Sequence, residues 1–331
     1  MKPKTQALLH DLVSQRIVPG VSYAFLAPQK TQIEVFGKSQ IKPTVEPLLP
    51  NQLYDVASLT KVVGTTMVIL KLWQEGKLAF DDPIVQYLPR FQDKRVTVRH
   101  LLTHTSAISG YIKNRNQLNA TQLMDALYQL PVCEWLGQKV VYADVGLIFL
   151  GEIIEAFYQR PVQKVITSEI LKPLAMYEST FTPVKKRCVP TEFDVTQGLI
   201  QGRVHDPKAW ILKEHCGSAG LFSSLNDLVK FSSAMLFEAD NHPILTKQTI
   251  ALLFADQTPN RKLKRSFGWD LRYNANQQPC LYHTGFTGTW MLLDRQKQEG
   301  MVVLTNRIHP TSANQIFLEK RDQIVATFLH E

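Results

Sequence analysis

Cysteine is scarce and scattered. The chain has four in 331 residues, at positions 133, 188, 216 and 280, with no C-x-x-C pair among them. That pattern argues against a disulfide framework and a structural zinc site, and fits isolated reduced thiols. Long apolar runs are absent too: Thr66 to Trp73 is interrupted by Lys71 and falls well short of a membrane span. The first residues reach His10 and Asp11 before a secretory h-region could form, so a soluble, cytoplasmic chain is expected. There is no fixed-period repeat and no low-complexity linker. Charged residues make up only 20% and hydrophobic ones 44%, which excludes disorder, collagen-like sequence and coiled coil. A chain of this length can bury its own core as one large domain or two packed lobes.

Missing motifs narrow the function. No Gly-x-Ser-x-Gly elbow, Walker loop or Gly-x-Gly-x-x-Gly fingerprint occurs, which disfavours an α/β-hydrolase, a nucleotidase and a Rossmann enzyme. The net charge is +8, from 37 Lys+Arg against 29 Asp+Glu. Its densest clusters, Lys185 to Arg187 and Arg261 to Arg265, are not interleaved with aromatics, and no helix-turn-helix or finger spacing accompanies them. Both read as solvated loop faces, and no nucleic-acid partner is expected.

What is present is a change of texture along the chain. Gly20 to Leu26 and Gln32 to Phe36 read as strands around a turn containing Pro28. From Ser58 to Gly76 the period becomes helical, with Val63, Met67, Leu70 and Trp73 in phase. Further helices are expected at Val145 to Tyr158, Val162 to Ile170 and Leu225 to Phe237, the last capped by Ser224 or Asn226. Strands return at Phe267 to Tyr273, Gln278 to His283, Thr289 to Asp294 and Met301 to Asn306, and an amphipathic helix over Ala313 to Leu329 closes the chain. Strands at both ends around a helical middle suggest one sheet built from the two terminal segments, with an inserted helical lobe. The fold class is therefore α/β of the α+β type, and the lobes are expected at roughly 1–85 with 215–331, and 86–214.

The chemistry centres on Val56-Ala57-Ser58-Leu59-Thr60-Lys61. If Ser58 opens the helix, Lys61 sits one turn on, on the same face. A serine hydroxyl needs a base within hydrogen-bond reach to act as a nucleophile, and burial can turn a lysine into that base by lowering its pKa. A helix N-terminus also offers backbone N–H to a developing oxyanion. Ser-x-x-Lys alone is weak, since an N-cap serine with a solvated lysine is the better explanation of Ser58 taken alone. A second copy, Ser39 to Lys42, follows a strand; in extended chain its two side chains point to opposite faces, and it reads as structural.

Other segments supply company for Ser58. Leu53-Tyr-Asp-Val-Ala-Ser58-Leu-Thr-Lys61 is followed by Glu75-Gly-Lys-Leu78, Asp81-Asp-Pro83 and Leu101-Leu-Thr-His-Thr-Ser106. Then come Val141-Tyr142-Ala143-Asp144-Val-Gly146, Gly217-Ser-Ala-Gly-Leu-Phe-Ser223 and Tyr282-His283-Thr284-Gly285-Phe286-Thr-Gly288. In this order, over nearly the full length, they resemble the serine β-lactamase and penicillin-binding-protein-like superfamily, in particular its class C-type β-lactamase-related hydrolases.

The resemblance implies a β-lactamase/transpeptidase-like fold, an antiparallel sheet flanked by helices beside a mainly helical lobe. It also implies roles. Ser58 would be acylated, Lys61 would hold its proton equilibrium, and Tyr142 would share general acid/base duty. The strand carrying His283, Thr284 and Gly285 would wall the cleft, with the Phe286 and Ser58 N–H groups as the oxyanion hole. Two positions depart from the family pattern: His283 stands where a lysine is usual, and Asp144 where an asparagine is usual. A largely neutral His283 gives up a carboxylate-binding charge. Asp144 should raise the Lys61 pKa and repel an anionic substrate. Ala107 replaces a glycine, a milder change.

His100 and His104 lie four apart, but the Glu of a zinc protease is missing beside the first, so both read as packing or loop histidines. His205-Asp206-Pro207 reads as a turn that could line the cleft rim, and Cys216 as an inert buried thiol. Trp210, Trp269 and Trp290 are expected in packing. The expected function is hydrolysis of a carboxylic ester or a D-amino-acid-containing ester or amide, without metal or organic cofactor. The partner would be a small-molecule or cell-wall-derived substrate. The alternatives are a penicillin-binding D-Ala-type peptidase or weak β-lactamase, and a non-catalytic ligand-binding module. The sequence leaves the oligomeric state open.

Overall fold

The computed structural model describes residues 2–194, 196, 198–237 and 242–331. Its strands are, in chain order, β1 (Gly20–Leu26), β2 (Gln32–Gln40), β3 (Glu46–Pro47), β4 (Tyr54–Asp55), β5 (Phe193–Asp194), β6 (Gly198–Leu199), β7 (Phe222–Ser223), β8 (Asp270–Tyr273), β9 (Pro279–Gly285), β10 (Thr289–Asp294) and β11 (Glu299–Thr305). The main sheet has seven strands in the order β3-β2-β1-β11-β10-β9-β8. Every pairing within it is antiparallel. The two ends of the chain meet at its centre, where β1 pairs β11 from Val21↔Thr305 to Leu26↔Gly300. β10 and β11 form a hairpin.

Strand alternation sorts the side chains onto two faces. In β11, Met301 and Val303 pack with Leu9, Leu12, Phe317, Ile324 and Phe328, side chains of the first and last helices, Pro3–Ser14 and Ile316–His330. Val302 and Leu304 turn the other way, into a larger core shared with the helical middle of the chain. Because both faces are covered, all seven residues of β1 are buried, which explains its nearly unbroken apolar sequence. The Pro3–Ser14 helix was not anticipated from the sequence. Only Thr5, Leu9 and Leu12 of it are buried, too few positions for a strong local period.

Three features of the helical part place the site. Leu59 and Thr60 are helical and run through a π-helical stretch, Lys61–Thr65, into the helix Thr66–Gln74, so Ser58 lies in the turn that opens this helix. The helix Asp144–Tyr158 runs through the core, with nine residues buried from Val145 to Ile154, and presents its N-terminus to that turn. The short pair β4 with β7 joins the strand before Ser58 to the Gly217–Ser223 segment. Ser224 caps the helix Leu225–Leu236 by accepting from the Asp227 N–H. Among the described residues no helix is long and apolar enough to cross a membrane.

Candidate active site

Ser58 follows Ala57, whose φ of +47° is unusual for a residue with a side chain. The buried carboxylate of Asp55 shapes this turn: one oxygen accepts from the Ala57 N–H at 2.9 Å and the other from the His205 N–H at 2.7 Å. The turn between β9 and β10 is stapled to the same segment. Thr287 Oγ1 donates to the Asp55 carbonyl at 2.7 Å, and Thr289 Oγ1 to that of Val56 at 3.2 Å. A Cβ on Gly285 would lie 2.5 Å from the Val56 carbonyl oxygen and 2.2 Å from Thr289 Oγ1, so only glycine lets the strand approach so closely.

Lys61 is fully buried, and its Nζ donates to Ser58 Oγ at 2.6 Å and to the Ser218 carbonyl at 2.9 Å. It also contacts Asp144 Oδ1 at 2.8 Å. Burial alone would drive Lys61 towards the neutral amine. The Tyr142 and Asp144 oxygens outweigh it and hold Lys61 above the ordinary lysine range, as an ammonium. The sequence-based expectation of a lysine whose pKa burial lowers is thereby corrected, while the expectation that Asp144 raises it agrees with the structure. Asp144 is the first residue of its helix, where the macrodipole favours an anion. Burial pushes its carboxyl up, but Lys61 and Lys208 outweigh that and hold it well below the usual carboxylate range.

Tyr142 is half-exposed and its ring is surrounded by cations and histidines. Lys61 Nζ lies 5.3 Å and the Arg265 guanidinium 5.5 Å from the ring centre. His104 packs at 4.5 Å and His283 at 5.9 Å. His104 also fixes the backbone on either side: its carbonyl accepts from Val141 N–H at 2.9 Å and its Nδ1 from Ala143 N–H at 3.3 Å. Burial first, then Arg265 and Lys61, push both imidazoles well below their ordinary range, so both are neutral at pH 7. His283 stands against Trp269, edge to face. A lysine at 283 would add a third buried cation beside Lys61 and Arg265, which gives a physical reason for the histidine.

The structure thus brings together Ser58, Lys61, Tyr142, Asp144, His283 and Gly285. Thr284, half-buried, shares by alternation the face of Tyr282, which packs on the opposite side of the sheet. Phe286 is exposed, and its ring stacks on His205 at 5.6 Å. Sequence reasoning missed Lys208, which reaches Asp144 Oδ2 at 2.9 Å from the helix Pro207–Leu212. It missed the Ser218 carbonyl as well. Arg265, expected on a solvated loop face, is 7% exposed and faces the Tyr142 ring. Only its place beside Phe267 and Trp269, both fully buried, could have signalled that.

The remaining candidates fall elsewhere. His100 caps the helix Val98–Leu102 through Nδ1, which accepts from the Thr97 N–H at 3.1 Å. Asp206 caps the helix Pro207–Leu212. Cys216 is buried with its thiol pushed up by burial, and all four cysteines are free. Ser39 is buried in β2, its Oγ donating to the Glu46 carbonyl. Trp269 and Trp290 are buried, whereas Trp210 is 54% exposed.

Comparison with known proteins bears on the fold and the family. A "Putative D-alanyl-D-alanine carboxypeptidase" of Salmonella typhi is 28% identical over 310 residues, covering 80% of this chain and 71% of that protein. Among solved structures, "EstCE1, a hydrolase with promiscuous acyltransferase activity" superposes with a TM-score of 0.77 at 17% identity, covering 97% of each chain. "Beta-Lactamase/D-Alanine Carboxypeptidase from Pseudomonas syringae" gives a TM-score of 0.77 at 18% identity, over 98% of this chain and 97% of the other. These two likenesses carry the fold, the β-lactamase/transpeptidase fold with its antiparallel sheet and flanking helices. Residues 5–323 match the sequence model of the Beta-lactamase family, and the chain belongs to that family of serine hydrolases.

Proposed function

We propose that the protein hydrolyses a carboxylic ester, or a D-amino-acid-containing ester or amide, through an acyl ester on Ser58. The observation that carries this reading is the 2.6 Å contact between Ser58 Oγ and the fully buried Lys61 Nζ, on a turn that Asp55 and the β9–β10 turn hold in place. Held as an ammonium by Asp144, Lys61 donates to Oγ and does not accept its proton. Tyr142 is then the acceptor. As Oγ attacks the substrate carbonyl carbon, its proton passes to the Tyr142 oxygen while the phenol hands its own proton to the departing alkoxide or amine, so that Tyr142 ends the step as it began. The negative charge on the carbonyl oxygen meets the N–H groups of Ser58 and Phe286. Water repeats the sequence on the acyl ester, Tyr142 taking its proton and Ser58 recovering it as the acid leaves.

A second reading, a penicillin-binding D-Ala-type peptidase acting on a cell-wall-derived substrate, is favoured by the similarity to the Salmonella carboxypeptidase. Intact mass after exposure to a fluorophosphonate, with penicillin in parallel, separates the two. A single fluorophosphonate adduct that disappears in Ser58→Ala is expected, and a lasting penicillin adduct would move the assignment to the peptidase. Absence of any adduct would overturn both and leave a ligand-binding module on the same fold.

A further inference from the structure

A second cavity lies away from Ser58, where the C-terminal end of the first helix, β2 and the segment after β11 meet; its volume is about 710 Å³. Its charged lining residues are Arg16, Lys38 and Arg307, and no Asp or Glu lines it. Ile17, Ile41 and Ile316 supply apolar wall. Arg16 and Lys38 are exposed at the mouth, whereas Arg307 is 7% exposed. His309, also in the lining, is 4% exposed. Its Nε2 accepts from the Ile41 and Lys42 N–H groups at 3.1 and 3.2 Å, which puts the proton on Nδ1. Its Nδ1 proton is turned to the Thr191 backbone. Three cations around an apolar wall suit an anion with a hydrocarbon body.

Arg307 connects this cavity to the catalytic turn. Its Nε donates to the Phe286 carbonyl at 2.8 Å, and its backbone N–H to the Thr287 carbonyl at 3.1 Å. The guanidinium also lies 4.9 Å from the centre of the Phe286 ring. An anion drawing on that guanidinium therefore acts on the residue whose N–H faces the developing oxyanion.

We propose that this cavity is a second ligand site, for a small organic anion with an apolar body such as a medium-chain carboxylate, and that its occupancy is felt at Phe286 through Arg307. The binding half stands on the cavity alone, and only the kinetic half rests on the hydrolase reading. The probe is octanoate, titrated calorimetrically into protein whose Ser58 has been phosphonylated, or into untreated protein should Ser58 prove unreactive. Binding is expected, weakened about tenfold or more in Arg16→Glu/Lys38→Glu at low salt. No binding at millimolar octanoate, or binding unchanged by the charge reversal, overturns the site. Equal binding of inorganic phosphate overturns the apolar-body assignment. In turnover of a chromogenic ester, octanoate should change kcat in the wild type and not in the charge-reversed protein. A purely competitive effect on KM would place octanoate in the catalytic cleft and overturn the coupling to Phe286.

Discussion

Lys208 holds Oδ2 of Asp144 at 2.9 Å while the other oxygen is taken by Lys61 at 2.8 Å. The carboxylate that replaces the family's asparagine is thus balanced from both sides. An aspartate at 144, taken alone, should repel an anionic substrate; with Lys208 in place that repulsion is largely cancelled. A pocket beside Asp144 and Lys208 is lined by Ile108, Ile112, Leu127 and Leu130, with Arg115 as a further cation, a lining that suits apolar and anionic groups alike.

Lys208→Met should therefore change selectivity more than competence. The kcat/KM for an ester carrying a carboxylate on its acyl chain is expected to fall about tenfold more than that for its neutral counterpart. Paired measurements on the two esters check this. Equal losses would show that Lys208 only supports packing.

The roles assigned to Tyr142 and Lys61 give distinguishable variants. Tyr142→Phe removes the proton acceptor from a half-exposed position, and kcat should fall about a hundred- to ten-thousand-fold with little change in thermal midpoint. Lys61→Met leaves Asp144 with Lys208 alone and removes the donor to Ser58 Oγ. It should abolish acylation as well, and also shift stability, because a buried ion pair is broken. A Tyr142→Phe protein that acylates at the wild-type rate would return the base role to Lys61.

His104 acts through Tyr142, gripping the backbone on both sides of it while its ring lies against the phenol. His104→Ala orphans the Ala143 N–H and opens a void, at a cost of about 2 kcal/mol. It should lower kcat about tenfold or more while KM moves little, because displacement of Tyr142 affects the chemical step. His104→Asn offers an acceptor near the Nδ1 position and tolerates the φ of +55° found there, so it should recover most of the rate. Loss of stability without loss of kcat in the alanine variant would reduce His104 to packing.

Which parts of this site the sequence disclosed follows from how local each contact is. The three-residue spacing of Ser58 and Lys61 is a one-turn relationship, readable without any tertiary information, and the pair is in hydrogen-bond contact. The sheet was legible from local sequence too, since its central strands are short apolar runs bounded by turn residues, and Thr289–Asp294 has the bounds expected of it. Lys208 meets Asp144 only because Asp206 caps a short helix after a loop that Asp55 holds by the His205 N–H. Nothing in a His-Asp-Pro turn announces that partnership. Arg265 sits in a basic run whose other members face solvent, and its burial depends on the aromatic residues that follow. The sign of the Lys61 shift also required the fold, because burial and a neighbouring carboxylate pull in opposite directions and only geometry says which is nearer.

Asp55 makes the shaping of the Ser58 turn dependent on pH. Burial raises its carboxyl to about 6, even though the N–H groups of His205 and Ala57 pull the other way. An unfolded aspartate titrates near 3.9, so at intermediate pH the folded chain keeps a proton that the unfolded chain has released. The stability from this group is therefore fully present below the unfolded pKa and is lost as pH rises through about 6. A shift of this size corresponds to about 3 kcal/mol. Asp55→Asn cannot titrate, and its single carbonyl oxygen serves only one of the two N–H donors, so it should be the less stable protein near pH 4. The gap between wild type and variant should then narrow by about 3 kcal/mol towards neutral pH. Denaturant midpoints of both proteins across that range test it. Parallel curves would mean that Asp55 is ionised throughout, held as a carboxylate by the His205 and Ala57 N–H groups.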